Sequence, residues 1–232
     1  VEVGANNDAQ RITYYSPRIA GFQVGASYAR DPQQDSSSAV DLDAPGQLGD
    51  IFDVGANYVN SFGDFDVALS ARWGIGSVGT GDDDDDDFLG DFEDDPQVMA
   101  FGANVGFAGF TVGYAFAESN NSGTLDSQGH SAGVSYETGP WGFSVTYYRG
   151  EGVDAENPFA VNVDDDGNYV SSANDEKFQA ILVGGAYALA DGGDLSLYGA
   201  YVDADEDTDD AGFRGGNDVE GFMIGTAVAL SF

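Results

Sequence analysis

Carboxylates are the side chains of this protein best suited to chemistry, and they are densest at residues 82–87, a run of six aspartates. Packed carboxylates repel one another, and divalent cations that prefer oxygen ligands relieve that repulsion. The run therefore predicts a Ca²⁺ or Mg²⁺ site built from Asp82, Asp84 and Asp86. A solvated acidic loop that holds no ion fits the same residues, and the sequence leaves both interpretations open.

A second acidic motif begins at Asn162. Asn162, Asp164 and Asp166, followed by Gly167, match the opening of an EF-hand calcium loop, in which the glycine permits a sharp turn. The twelfth position of such a loop is a bidentate glutamate, whereas this chain has Ala173 there. The motif predicts three calcium ligands in an incomplete site. No cofactor is required by any other motif.

Catalytic chemistry is disfavoured by what the chain lacks. It has no cysteine and one histidine, His130, which excludes cysteine nucleophiles and thiolate metal sites and leaves histidine catalysis without support. Carboxylate pairs arise by chance among 41 acidic residues, so they do not indicate a glycosidase. The formal net charge of −34 makes nucleic acid an implausible partner. We predict that the protein is not an enzyme.

The elements that carry these residues are predicted to be β-strands. Eleven segments alternate apolar with small or polar residues over about eight to twelve positions, the length of a tilted membrane strand. No stretch reaches the roughly 20 apolar residues of a membrane helix, so a spanning structure must be a barrel. The predicted strands are 10–16, 21–30, 51–60, 64–75, 97–107, 109–118, 128–138, 141–150, 176–188, 193–203 and 219–232.

The connections between these strands alternate in length. Short connections at 16–20, 61–63, 108, 139–140 and 190–192 alternate with long acidic ones at 31–50, 76–96, 118–127, 151–175 and 204–218. Outer-membrane barrels show this alternation, with short periplasmic turns and long outside loops. The fold class predicted is therefore an all-β, antiparallel transmembrane β-barrel.

The two faces of the predicted strands differ in chemistry. In the last strand Phe222, Ile224, Val228 and Leu230 share one face, predicted to contact lipid, while Ala227 and Ala229 share the other, predicted to face the lumen with Arg72. The aromatic side chains near strand ends fit girdles at the two membrane interfaces. A soluble acidic β-sandwich or a calcium-binding adhesin module, with the aromatic face inward, is the alternative.

Arginines on the small-residue face are candidates for the pore wall. A guanidinium that faced lipid at mid-depth would cost about 2–4 kcal/mol, so Arg11 and Arg72 are predicted to face water. They either contribute to a transverse field across the pore or pair with lumen carboxylates such as Asp66 or Glu137. The predicted pore-lining residues are Arg11, Asp66, Arg72, Asn104 and Glu137.

Two motifs give the chain a family resemblance. The segment from Asn7 to Tyr28, with Tyr14-Tyr15-Ser16-Pro17 and then Gly21-Phe22, resembles a stretch of Gram-negative general porins, especially the alpha-proteobacterial type. The alternating segment that ends in Phe232 resembles their C-terminal strand.

The resemblance implies a sixteen-stranded barrel of which eleven strands are visible here. It also implies one porin domain over 1–232, with the first strands and the constriction loop before Val1. The strand count agrees, because eleven antiparallel strands would leave two parallel edges and bacterial barrels have an even number.

The implied function is passive diffusion of ions and small hydrophilic solutes through a water-filled channel. The implied protein is a homotrimer in the outer membrane of a Gram-negative bacterium, in contact with its lipid. The acidic outside loops predict a weak preference for cations.

Overall fold

The computed structural model describes residues 9–31, 48–79, 95–120, 126–153, 161–163, 169–171, 175–190, 192–207 and 219–230. All regular secondary structure in these ranges is β-strand. Within the same ranges there is no helix long and apolar enough to cross a membrane.

Eleven long strands form one sheet in which each strand pairs with its neighbours along the chain. The strands are β1 (Arg11–Tyr15), β2 (Phe22–Ala29), β3 (Leu48–Phe62), β4 (Phe65–Val78), β5 (Gln97–Phe107), β6 (Phe110–Asn120), β7 (Ser127–Thr138), β8 (Trp141–Val153), β11 (Asp175–Ala190), β12 (Gly193–Asp207) and β13 (Val219–Leu230). Their number, order and antiparallel pairing confirm the predicted fold.

Two further strands were not predicted. β9 (Val161–Val163) and β10 (Tyr169–Ser171) pair antiparallel as a separate two-stranded sheet inside the connection between β8 and β11. Asn162 lies in β9, opposite Val170. Valine and tyrosine in these two strands favour extended backbone.

The short connections are tight turns made by glycine. Gly21, Gly63, Gly109, Gly139 and Gly192 all have positive φ, and these turns join β-strands as hairpins. At Gly109 a Cβ atom would lie 2.5 Å from the backbone oxygen of Glu137, so a side chain has no room there.

The sheet has two chemically distinct faces. The arginine face carries Arg11, Asp53, Asp66 and Arg72, and the aromatic face carries the residues that alternate with them, including Phe52, Phe65 and Phe222. Stacked rings of Phe65 with Phe107 and of Phe110 with Tyr136 hold neighbouring strands together on the aromatic face.

Solvent exposure is inverted relative to a water-soluble protein. On β13, Phe222, Ile224 and Val228 are 82%, 76% and 60% exposed, as predicted for lipid contact; the side chain of Leu230 lies outside the described residues. In the β-sandwich alternative, Phe65, Phe101 and Val112 would share a dry core. They are instead 48%, 45% and 59% exposed.

Contacts in space between residues divide the chain into two compact units. The first comprises 1–59, 69–101 and 117–128, and the second comprises 60–68, 102–116 and 129–232. The first unit holds a small buried cluster of Ala9, Ala29, Ile51 and Val98, against which Leu48 packs. The polar site described next also lies wholly in the first unit.

Candidate functional site

A concave polar wall occupies the arginine face of β1 to β4. It encloses about 450 Å³ and receives side chains from all four strands. Its hydrogen-bonding and charged members are Arg11, Thr13, Tyr15, Gln23, Ser27, Asp53, Asn57, Ser70 and Arg72. Strand register explains the grouping, because Thr13 lies opposite Ser27, Ser27 opposite Asp53, and Gln23 opposite Asn57.

Arg72 and Asp53 form an ion pair in this polar wall. The Nε and Nη2 groups of Arg72 donate to Oδ1 of Asp53 at 2.9 and 2.7 Å. The Asp53 side chain is 12% exposed and that of Arg72 is 35% exposed, so water competes for the guanidinium more than for the carboxylate. The pair fixes the guanidinium on the wall while leaving part of its surface open to solvent.

The carboxylate partner differs from the two suggested by sequence. Asp66 accepts a hydrogen bond from the Ser61 hydroxyl at 2.6 Å, and Asp53 is the residue that pairs with Arg72. Alternation places Asp53, Asp66 and Arg72 on one face. Which of them meet depends on the register of β3 against β4, which the sequence pattern does not specify.

A second arginine, Arg18, was missed by the sequence analysis. It lies in the turn between β1 and β2, where its Nη1 donates to the Gly21 carbonyl at 2.7 Å. Its Nη2 donates to Gln23 Oε1 at 3.2 Å and to Asn57 Oδ1. Arg18 follows a proline in the connection between two strands. Because residues there do not alternate between two faces, the sequence pattern could not indicate which way the Arg18 side chain points.

All five predicted pore-lining residues lie on the arginine face. Arg11 lines the polar wall together with Arg72. Asn104 lies across from Gly113, where a Cβ would collide with its amide oxygen. Glu137 is exposed next to Tyr136, whose ring stacks on Phe110 on the opposite face. Their role in lining a pore remains a prediction.

The polar wall is locally cationic although the chain is strongly acidic. Two guanidinium groups, Arg11 and Arg72, face one carboxylate, Asp53, so the lining carries a formal charge of +1 against −34 for the chain. The lining residues therefore differ from the chain as a whole in the sign of their summed formal charge.

The predicted metal ligands cannot be placed. Asp82, Asp84, Asp86, Asp164 and Asp166 lie outside the described residues, as does the side chain of Asn162. Among residues that the structure describes, no group of three or more His, Cys, Asp and Glu side chains is arranged to hold a metal ion. The Ca²⁺ or Mg²⁺ sites remain predictions.

His130 belongs to an aromatic group. Its Nδ1 lies 2.8 Å from the Tyr114 hydroxyl, and its ring centroid is 4.9 Å from that of Phe116. Arg149 pairs with Glu151 at the end of β8. These contacts lie on the aromatic face, away from the polar wall.

Solved structures with a similar fold are outer-membrane proteins. DcaP, an outer-membrane channel of Acinetobacter baumannii, is 15% identical with a TM-score of 0.56, and the match covers 96% of this chain and 62% of DcaP. A loop L8 deletion mutant of OmpT, an outer membrane protein of Vibrio cholerae, is 15% identical with a TM-score of 0.50, covering 98% and 65%. A trimer form of OmpT is 14% identical with a TM-score of 0.52, covering 98% and 67%. The chain thus spans about two thirds of these proteins.

Curated protein sequences include no significant match to this chain. A protein-family model described as Gram-negative porin matches residues 2–211. That match covers most of the chain, and the antiparallel sheet has the fold of outer-membrane barrels. The chain therefore belongs to the Gram-negative porin family, and its location is the outer membrane.

Proposed function

We propose that this chain forms part of the wall of a water-filled channel through which ions and small hydrophilic solutes diffuse passively. The observation that carries the proposal is the contrast between the two faces of one sheet. Arg11, Asp53 and Arg72 form a polar wall on one face, while Phe222 and Ile224 are exposed on the other. A sheet with water on one side and lipid on the other requires this division.

The expected selectivity follows from two opposing charges. The long connections hold most of the 41 acidic residues and should attract cations over about 8 Å at physiological salt. The polar wall, with its formal charge of +1, should attract anions locally. Because the acids greatly outnumber the bases, we propose a weak net cation preference that fades as salt screens it.

Reversal potentials in planar bilayers test this proposal. A KCl gradient across a membrane containing the purified protein should give stepwise conductance and a weak cation preference below about 0.1 M that declines toward 1 M. Absence of conductance would contradict the channel. Anion preference at low salt, or a preference independent of salt, would contradict the charge argument alone.

A homotrimer embedded in outer-membrane lipid is part of the same proposal. The trimer form of the OmpT structure supports it, since that protein shares the fold. Detergent-solubilised protein should have the mass of three chains by light scattering, and a monomer mass would contradict the assembly. We propose no catalytic activity and no required cofactor, with Ca²⁺ or Mg²⁺ bound only at the acidic loops.

A further inference from the structure

We infer that the arginine face of β8, β11, β12 and β13 carries a binding track for neutral sugars, along which pyranose rings stack on aromatic side chains. The inference rests on the proposed channel function, because it requires this face to meet the solute pathway. It adds a substrate class and a site to that function. We define the sugar track by five side chains: Tyr148, Phe178, Leu182, Tyr198 and Met223.

Strand register shows that these five side chains share one face. Leu182 lies opposite Thr146 on β8 and Ala200 on β12, and Ala200 lies opposite Met223 on β13. Two residues farther along each strand, toward the β8–β11 connection, Tyr148 lies opposite Ala180 on the same face. Two residues from Leu182 in the opposite direction, Tyr198 of β12 lies between Gly184 of β11 and Gly225 of β13. The sugar track therefore crosses four strands over adjacent rows.

The sugar track is uncharged. The paired rows on this face contain glycine, alanine, serine, threonine, valine and the five track side chains, without an acidic or basic residue from Gly142 to Gly150 on β8 and from Phe178 to Ala186 on β11. The polar wall on β1 to β4 contrasts with it, since that wall is lined by Arg11 and Arg72. A charged solute would lose hydration on the track without gaining a counter-charge, so a neutral solute fits better.

The apolar side chains of the sugar track are nevertheless exposed. Tyr148 and Phe178 are each 38% exposed, Leu182 is 43%, Tyr198 is 45% and Met223 is 55% exposed. Apolar surface in a hydrated pathway is unfavourable unless a ligand covers it, and contiguous exposed apolar patches commonly mark binding sites.

The tyrosine rings lie against the sheet. A Cβ built on Gly225 would be 2.6 Å from Cε2 of Tyr198, so the ring occupies the space left by the absent side chain. The Tyr148 hydroxyl likewise lies 3.1 Å from the Cβ position of Gly129 and 3.0 Å from that of Gly150. The distal ends of both rings thus lie over glycine while the rings stay partly exposed, and the exposed face of an aromatic ring is where the apolar side of a sugar ring stacks.

Hydroxyl groups beside the rings complete the match to a sugar. Thr146 shares a row with Leu182, and Ser144 shares a row with Tyr198 through Gly184. Their hydroxyls can donate to and accept from sugar hydroxyls at the edge of the ring. The rows of Tyr148 and Tyr198 are four residues apart, about 13 Å along the strands, which suits a linear trisaccharide better than a monosaccharide.

Current block by maltotriose tests the sugar track. Stepwise KCl conductance is first recorded in planar bilayers, which establishes the channel independently of any sugar. Maltotriose should then reduce the current saturably, with half-block at about 1–10 mM, the weak affinity compatible with passage. Polyethylene glycol of similar mass should reduce it only in proportion to concentration.

Variants separate solute binding from a purely structural role of the rings. An aromatic ring that covers a strand glycine also stabilises a sheet, so Tyr198→Leu is compared with Tyr198→Phe, which keeps the ring. Half-block should rise at least fivefold in Tyr198→Leu and less than twofold in Tyr198→Phe. Tyr187→Leu, an aromatic substitution on the opposite face of β11, should leave it unchanged. Unaltered KCl conductance shows that each variant is folded.

The outcomes are distinguishable. Normal KCl conductance with no saturable maltotriose block, or with equal block in Tyr198→Leu and the native protein, overturns the sugar track and leaves the channel intact. Saturable block by benzyl alcohol but not by maltotriose overturns the sugar assignment. Absence of KCl conductance overturns the proposed function itself.

Discussion

Removing the charge of Asp53 should make the channel more anion-selective. Asp53 holds two N–H donors of Arg72 on one carboxylate oxygen, so the pair is nearly neutral when seen from the pore. Asp53→Asn removes one negative charge while the amide oxygen still accepts from the guanidinium. The polar wall then carries one negative charge fewer beside Arg72, whereas Arg72→Gln removes one positive charge and should have the opposite effect.

The size of the effect follows from Coulomb's law. An ion passing at about 7 Å from the carboxylate interacts with it by about 0.6 kcal/mol in water. At 0.1 M salt the Debye length of about 10 Å reduces this to about 0.3 kcal/mol. Cation and anion occupancies change in opposite directions, so the permeability ratio should shift about two- to threefold. At 1 M the Debye length of about 3 Å leaves almost no shift.

Reversal potentials at both salt concentrations measure this shift. Asp50→Asn is the matched control, because Asp50 lies on the same strand but on the aromatic face, where it accepts a hydrogen bond from the Tyr28 hydroxyl. Asparagine also tolerates the positive φ of 45° at that position. The control should therefore keep the native permeability ratio.

Two results would refute the reasoning. If Asp53→Asn and Asp50→Asn shift the ratio equally, the polar wall does not line the pathway. If the Asp53→Asn shift is as large at 1 M as at 0.1 M, the effect is not electrostatic. The double variant Asp53→Asn/Arg72→Gln should lie close to the native ratio, since both charges are gone.

Three further predictions concern the aromatic face and the turns. Trp73 and Trp141, the only tryptophans, are both exposed on the aromatic face, so brominated lipid chains should quench the intrinsic fluorescence strongly and aqueous iodide weakly. Ile224→Arg should lower the free energy of unfolding in lipid vesicles by about 2–4 kcal/mol, whereas Ala227→Arg on the opposite face should change it little; equal losses would refute the facing. Ala108→Gly should stabilise by about 1 kcal/mol, seen as a higher urea midpoint, because Ala108 has φ of 50°; a lower midpoint would contradict this.

The number of strands in the main sheet, their order and their facing were predictable from the sequence. Successive side chains of a strand point to opposite sides, so a pattern such as Phe222, Ile224 and Val228 separated by small residues specifies its own faces without reference to any other strand. Loop lengths then gave the antiparallel order, which the single eleven-stranded sheet confirms. The hairpin of β9 and β10 was not predicted, because each of these strands has three residues, too few to show alternation.

The sequence therefore determined which residues share a face, because that property depends only on neighbours along the chain. The tertiary structure decided which of them touch: Arg72 pairs with Asp53, Arg18 reaches Asn57, and Tyr198 lies over Gly225. Each of these contacts joins a strand to another strand or to a turn. It depends on the register between them, which turn geometry and hydrogen bonding fix to a single residue and which no pattern within one strand can specify.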